Sequence, residues 1–253
     1  METIPEGLVK FFEENPRPAL AFSGGVDSSY LLYVCWKLGV ETAPIFYTGG
    51  FQTAEQRANA EELCKHYNLN LEIIEDDIFG CEQVIANGPD RCYLCKKRIG
   101  TLIQERAKTL GCSYVMDGSN ASDDPATRPG MKILDELGIR SPLRECGLMK
   151  SDIRRLSKEA GLSTWDLPSD SCLATRIPTG TTVTRENTQR VYRAEKEIRA
   201  MGFRDIRVRD MDGDARLETL ASQNDLLEEM RSDIEKVLLK QYKSVSYGER
   251  RSQ

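Results

Sequence analysis

Ala19-Leu20-Ala21-Phe22-Ser23-Gly24-Gly25-Val26-Asp27-Ser28-Ser29 joins a short apolar run to the start of a helical pattern, and its reading decides the fold. Four apolar residues stopped by glycine suit a buried strand. The two glycines let the backbone turn tightly and approach an anion, while the free N–H groups and positive dipole end of the following helix supply binding energy for it. Ser23 and Ser28 add hydroxyl donors, and Asp27 stands where it would hold Mg2+ against phosphate oxygens. The segment has neither the Walker A sequence nor the spaced glycines of a dinucleotide fold. A strand-to-helix turn capped by Ser or Asp would account for two glycines, but the whole heptad predicts a nucleotide phosphate loop.

Outward from this loop the same alternation repeats. Pro44–Tyr47, Leu71–Ile74 and Ser113–Met116 are short apolar runs, and Ser29–Leu38, Thr53–Tyr67 and Arg91–Leu110 between them are amphipathic. That series predicts an α/β fold, an open parallel sheet with crossover helices, whose ligands bind beyond the C-terminal strand ends. Asp117–Arg140 reads as loop with a short helix around Lys132–Leu137, and Lys150–Ala160 as a helix closed by Gly161. The Pro/Ser/Gly-rich stretch Leu167–Gly180 separates a domain over 1–166 from a smaller α+β module over 167–253. In that module Val191, Ala194, Ile198 and Met201 mark one helix face, and Leu226, Leu227, Met230, Ile234, Val237 and Leu238 another. Ile206–Arg209 alternates as a strand and pairs with Ala215–Leu220 across Asp212-Gly213.

Composition narrows the function. The 253 residues are 40% hydrophobic and 30% charged, which excludes a disordered or fibrous chain. No window approaches the ~20 apolar residues of a membrane span, and Met1–Asn15 lacks the pattern of a signal peptide, so a cytoplasmic protein is expected. A net charge of −5 argues against nucleic acid held mainly by electrostatics and favours a small-molecule partner. The single histidine, His66, excludes a metal site with two or more imidazoles from one chain.

Eight cysteines in a reducing compartment read as thiols, metal ligands or catalysts. Arg91-Cys92-Tyr93-Leu94-Cys95-Lys96-Lys97-Arg98 opens a helix, and Ser171-Cys172-Leu173-Ala174-Thr175-Arg176 lies in the loop before the second module. A two-residue gap lets two thiolates converge on one metal or cluster, and the helix terminus with nearby Arg and Lys would depress their pKa. A structural zinc half-site, or plain buried thiols, would use the same pair. The other five cysteines sit in apolar or helical settings and read as buried thiols.

The Ser23–Ser29 heptad resembles the PP-loop ATP pyrophosphatases, the adenine nucleotide alpha hydrolase-like fold. That resemblance implies attack of a substrate oxygen on the α-phosphorus of ATP, loss of pyrophosphate, and opening of the adenylate by nitrogen or sulfur. Asp117-Gly118-Ser119-Asn120 with Asp123-Asp124, Arg128-Pro129-Gly130, Ser141–Arg144, Lys150–Arg154, Pro168–Arg176, Arg207–Arg209 and Ala215–Glu218 resemble one subgroup more specifically. This is the LarE family, ATP-dependent sulfur transferases that make the thiocarboxylates of the nickel-pincer nucleotide cofactor of lactate racemase. It implies ATP and Mg2+ on Ser23, Gly24, Gly25, Val26, Asp27, Ser28 and Asn120. It also implies sulfur handling at Cys172, and a 4Fe-4S cluster on Cys92, Cys95 and Cys172 whose open iron accepts sulfide. The implied substrate is pyridinium-3,5-biscarboxylic acid mononucleotide, its phosphate held by Arg176, Arg207 and Arg209 with Glu195. Partners would be that mononucleotide, a sulfur donor and further copies of the chain in a homo-oligomer. Two departures are Thr127, where an aromatic is commoner, and Asp210-Met211, where histidine follows the paired arginines. The rival readings are a PP-loop tRNA thiolase, an amide-forming, NAD-synthetase-like ligase with a structural CxxC, and a nucleotide-sensing module without turnover.

Overall fold

The computed structural model describes residues 4–124, 129–168 and 171–250. Thr127 and Arg128 lie outside the described residues, as do Ser169 and Asp170. In chain order the elements begin with α1 (Glu6–Glu14), β1 (Pro18–Ala21), α2 (Val26–Leu38), β2 (Ala43–Thr48), α3 (Ala54–His66), β3 (Glu72–Glu75), α4 (Glu82–Ile85) and α5 (Arg91–Thr109). They continue with β4 (Tyr114–Met116), α6 (Lys132–Glu136), α7 (Pro142–Glu145), α8 (Lys150–Glu159), α9 (Arg185–Ala200), β5 (Arg207–Met211), β6 (Asp214–Thr219), α10 (Asn224–Leu238) and β7 (Val245–Glu249). Two compact units divide them: Met1–Gly49, Ala54–Asp76 and Cys92–Leu167 form the first, and Gly50–Thr53, Asp77–Arg91 and Pro168–Gln253 the second.

The first unit is the expected α/β structure. Its four strands are all parallel, in the order β3-β2-β1-β4. The chain steps from β1 to β2 to β3 in one direction and then returns to lay β4 on the other side of β1. Because such crossovers are right-handed, the two directions of travel put their helices on opposite faces. One face buries Leu20, Leu31, Leu32, Leu63 and Ile153, and the other Ala19, Ile45, Ile103, Ala107 and Val115. Adjacent Ala19 and Leu20 therefore serve different cores, as strand alternation requires. Strand order reverses between β1 and β4, and a crevice opens at the C-terminal ends of strands at such a switch point.

Helix α2 departs from its expected amphipathic character. Every residue from Val26 to Cys35 except Asp27 is buried, so the helix is enclosed almost all round. It also begins three residues earlier than the apolar period suggests, because Gly25 in extended conformation (φ −87°, ψ 172°) is already the residue before its first turn.

The second unit holds the three-stranded sheet β5-β6-β7. Asp212 (φ 60°) and Gly213 (φ 91°) are both left-handed, the backbone of a two-residue hairpin turn. Strand β7, which the sequence reading left out, lies parallel to β6; its short, glycine-containing Val245–Glu249 stretch carries little alternation. Val208, Ala215 and Leu217 face a core with Ala194, Ile198, Ile234 and Leu238 from α9 and α10. By period 2, Arg207 and Arg209 lie on the opposite face, where Glu218 and Arg216 pair with them in register. Among the described residues no helix is long and apolar enough to cross a membrane.

Candidate functional site

The Ser23–Ser29 heptad sits at the switch point of the first unit. Gly24 has φ +69°, and a Cβ there would stand 2.5 Å from the Gln56 carbonyl oxygen on α3, so only glycine fits. Ser23 and Ser28 bring their hydroxyls within 3.1 Å of each other, and Ser28 Oγ donates to the Gly25 carbonyl at 3.3 Å. Gly25 offers no side chain to cap α2, which leaves the helix's first amides directed at an incoming acceptor.

Asp27, the one residue of the first α2 turns that is not buried, faces two donors. Lys150 Nζ lies 2.5 Å from its Oδ2, and Asn120 Nδ2 donates to Oδ1 at 3.3 Å. Gly118 makes this meeting sterically feasible: a Cβ there would be 3.0 Å from the Ser28 nitrogen and 3.2 Å from Asp27 Cβ. The turn after β4 thus packs directly on the loop after β1.

Beside the loop is a cavity of about 340 Å³. It is lined by polar Ser23, Asp27, Ser28, Asp117, Ser119 and Asp123, by the cation of Lys96, and by apolar Ile99, Ile103, Ile133, Leu134 and Ile139. Such a mixed lining suits a ligand that carries both an apolar ring and anions. Burial lifts the Asp117 carboxyl above its ordinary range, against hydrogen bonds from Ser119 and Ser141 and the charge of Lys96.

The CxxC pair lies in the opening turns of α5. Three residues apart, Cys92 and Cys95 share one helical face, the first exposed and the second half-buried. Arg98, one turn on, grips Asp76 with two bonds of 2.6 Å, and Tyr47 donates its hydroxyl to the same carboxylate at 2.7 Å. Burial, the Asp76 bond and the nearby Cys95 all push the Tyr47 phenol upward. This network ties the start of α5 to the C-terminal ends of β2 and β3. Burial pushes the thiols of Cys35 and Cys64 up to about 12 and raises those of Cys112 and Cys146, which makes them poor nucleophiles and metal ligands.

In the second unit Cys172 is half-buried and precedes a 3-10 turn, Leu173–Arg176. Arg176 is 1% exposed. Its Nε and Nη2 meet the two oxygens of Glu195 at 2.8 and 3.1 Å, and Nη1 donates to the carbonyls of Ser171 (2.6 Å) and Cys172 (3.1 Å). Glu195, fully buried, also accepts from Arg199 Nη2 at 2.9 Å and from the Val208 amide at 3.0 Å. Arg209 donates to the Thr175 carbonyl at 2.6 Å and to Glu218 at 3.0 Å. Arg207 is 3% exposed and donates to its neighbour's carbonyl, Ile206 O, at 2.9 Å. The structure thus brings Cys172, Arg176, Glu195 and Arg209 together. Asp210 is buried and bonded to Arg190 at 2.8 Å, on the core side of β5.

Among the described residues no three side chains of His, Cys, Asp and Glu gather as a metal site. The sequence does not place Lys150, Lys96 and Gly118 beside the Ser23–Ser29 heptad, because each comes from a separate segment of chain. Asn87 and Arg91 were missed too. Asn87 Nδ2 donates to Pro178 O at 2.7 Å and to Thr181 O at 2.8 Å, while Arg91 Nη1 reaches Asn87 Oδ1 at 2.6 Å and Ala174 O at 2.8 Å.

No protein-family model matches the chain. It is 35% identical over 219 residues to an uncharacterized protein of Synechocystis (slr1717), covering 86% of this chain and 82% of that one. It is 34% identical over 214 residues to the pyridinium-3,5-bisthiocarboxylic acid mononucleotide synthase of Lactiplantibacillus plantarum, covering 83% and 77% respectively. An uncharacterized Methanocaldococcus jannaschii protein (MJ0830) is 30% identical over 223 residues, 88% of this chain and 85% of its own.

Proposed function

The chain belongs to the LarE family of enzymes, and from that premise we propose that it is an ATP-dependent sulfur transferase acting on pyridinium-3,5-biscarboxylic acid mononucleotide. Residues 1–166 handle the nucleotide, and residues 167–253 contribute Cys172 and the substrate's phosphate contacts. The observation that carries the reading is the glycine loop at the β1/β4 switch point, opening on a cavity of nucleotide character. ATP lies with its phosphates on Ser23–Ser28 and its base against the apolar lining of the cavity. Asp27 and Asn120 orient Mg2+ and phosphate oxygens once Lys150 is drawn from Asp27 to the phosphates. A substrate carboxylate oxygen attacks the α-phosphorus, pyrophosphate leaves, sulfide takes the acyl carbon, and AMP departs, leaving a thiocarboxylate.

Cys92, Cys95 and Cys172 are soft donors suited to iron, and we assign them to a 4Fe-4S cluster. Such a cluster, when bound, supplies a replaceable sulfide so that no protein sulfur need be consumed. The chain's own part is to present the three thiols. Arg207 and Arg209, backed by the Arg176–Glu195 pair, carry the substrate phosphate, for which bidentate guanidinium donors are well shaped. A cytoplasmic setting and assembly of several copies complete the reading.

The deciding experiment is anaerobic reconstitution with iron and sulfide, followed by reaction with ATP, Mg2+ and the mononucleotide. Iron bound by the intact protein, pyrophosphate release and a product carrying sulfur in place of oxygen are expected. Cys172→Ala will lower thiocarboxylate yield by about a hundredfold or more while adenylation continues. Zinc in place of iron sinks the cluster, sulfide-independent amide formation favours the ligase reading, and salt-sensitive tRNA binding favours the thiolase. For the cradle itself, Lys150→Met removes a charge-assisted contact of about 1.5–3 kcal/mol, so the KM for ATP will rise about ten- to hundredfold. An unchanged KM would show that Lys150 serves Asp27 alone.

A further inference from the structure

The segment 171–184 contains no strand and no α-helix, only the 3-10 turn Leu173–Arg176. A stretch of this kind has no regular backbone ladder to fix it, so side-chain donors must satisfy its carbonyls. Asn87 and Arg91 supply several, from more than eighty positions earlier in the chain. Asn87 is 1% exposed and left-handed (φ 58°), a conformation asparagine tolerates better than most residues. Its amide nitrogen is committed to the carbonyls of Pro178 and Thr181, and its own carbonyl accepts the Gly180 amide at 2.9 Å. Its side-chain oxygen takes Arg91 Nη1, and the same nitrogen of Arg91 donates to Ala174 O, two residues after Cys172. Arg91 is also the residue immediately before Cys92.

We propose that Asn87 and Arg91 are positioning residues which set the backbone presenting Cys172, with no contact to substrate. The inference rests on the assignment of Cys172 as the sulfur-handling residue. Guanidinium geometry is essential to it: one nitrogen bridges two acceptors in fixed directions, which an ammonium on a flexible stem reproduces poorly.

The test measures iodoacetamide labelling of Cys172 by peptide mass spectrometry in the reduced, cluster-free full-length protein, with hydrogen exchange of the α9 and α10 amides reporting unfolding of the second unit. Arg91→Met should raise the Cys172 labelling rate at least about tenfold with the α9 and α10 amides still protected, because the loop opens more often. Arg91→Lys should fall between the two. In reconstituted enzyme the same variants should lower kcat about tenfold and leave the KM for ATP unchanged. Should Arg91→Met lose the α9 and α10 protection as well, the Arg91→Lys and Asn87→Asp variants decide by the same labelling. Wild-type labelling and kcat in the variants that remain folded overturn the inference. Failure of the wild-type enzyme to transfer sulfur would instead sink the functional reading, so the two failures are separable.

Discussion

Glu195→Ala will cost about 3–5 kcal/mol of folding stability, read as a lowered urea midpoint. The carboxylate is fully buried and serves Arg176, Arg199 and the Val208 amide together. Removing it strands the Arg176 guanidinium, itself 1% exposed, without its counter-ion. Desolvating a lone charge costs far more than an ordinary lost hydrogen bond. Glu195→Gln retains an acceptor for Val208 and should lose less. Replacing both partners by methionine removes both charges from the interior, and should come out more stable than Glu195→Ala alone, since buried pairs often match apolar substitutes in stability. A loss below about 1 kcal/mol for Glu195→Ala, the range of exposed pairs, would mean that water reaches Arg176.

Gly24→Ala will lower ATP affinity about a hundredfold, or ~2.7 kcal/mol, measured by calorimetry with a non-hydrolysable analogue. Alanine at φ +69° is strained by roughly 1–2 kcal/mol, and its methyl would meet the Gln56 carbonyl at 2.5 Å. That obstacle is backbone of a packed helix, so the loop must yield instead. Displacing it spoils the approach of the first α2 amides to the phosphates, while the sheet beneath is untouched. A variant that keeps wild-type affinity would mean that the phosphates lie elsewhere. Loss of affinity together with loss of the whole fold would point to a structural role for the turn.

The parallel sheet was legible because each short apolar run is followed by a long helical pattern, and the glycine-serine heptad marked the turn from β1 into α2 where strand order reverses. The same glycines concealed where α2 begins, since Gly25 is extended yet directly precedes the first helical turn. Periodicity located α9, α10 and the β5–β6 hairpin but missed β7, whose glycine and terminal charge mask alternation. Lys150, Lys96 and Gly118 escaped for a different reason. Nothing in Lys150's neighbours says that it will meet Asp27, 123 positions away; that meeting is created by the strand order. Asn87 and Arg91 look locally like a loop residue and a helix start, and their roles exist only through carbonyls 83 to 94 positions downstream. Arg176 shows the converse: its residue type suggests a surface anion contact, whereas its burial against Glu195 makes it an internal counter-ion.

Because residues 50–53 and 77–91 are built into the second unit, a recombinant fragment starting at Pro168 would leave behind Asn87, Arg91 and the Phe51 carbonyl that receives the Leu173 amide. During translation those early pieces emerge and wait for the last third of the polypeptide before their partners exist. A piece able to form the Cys172 turn must therefore carry residues 50–53 and 77–91 together with 171–209.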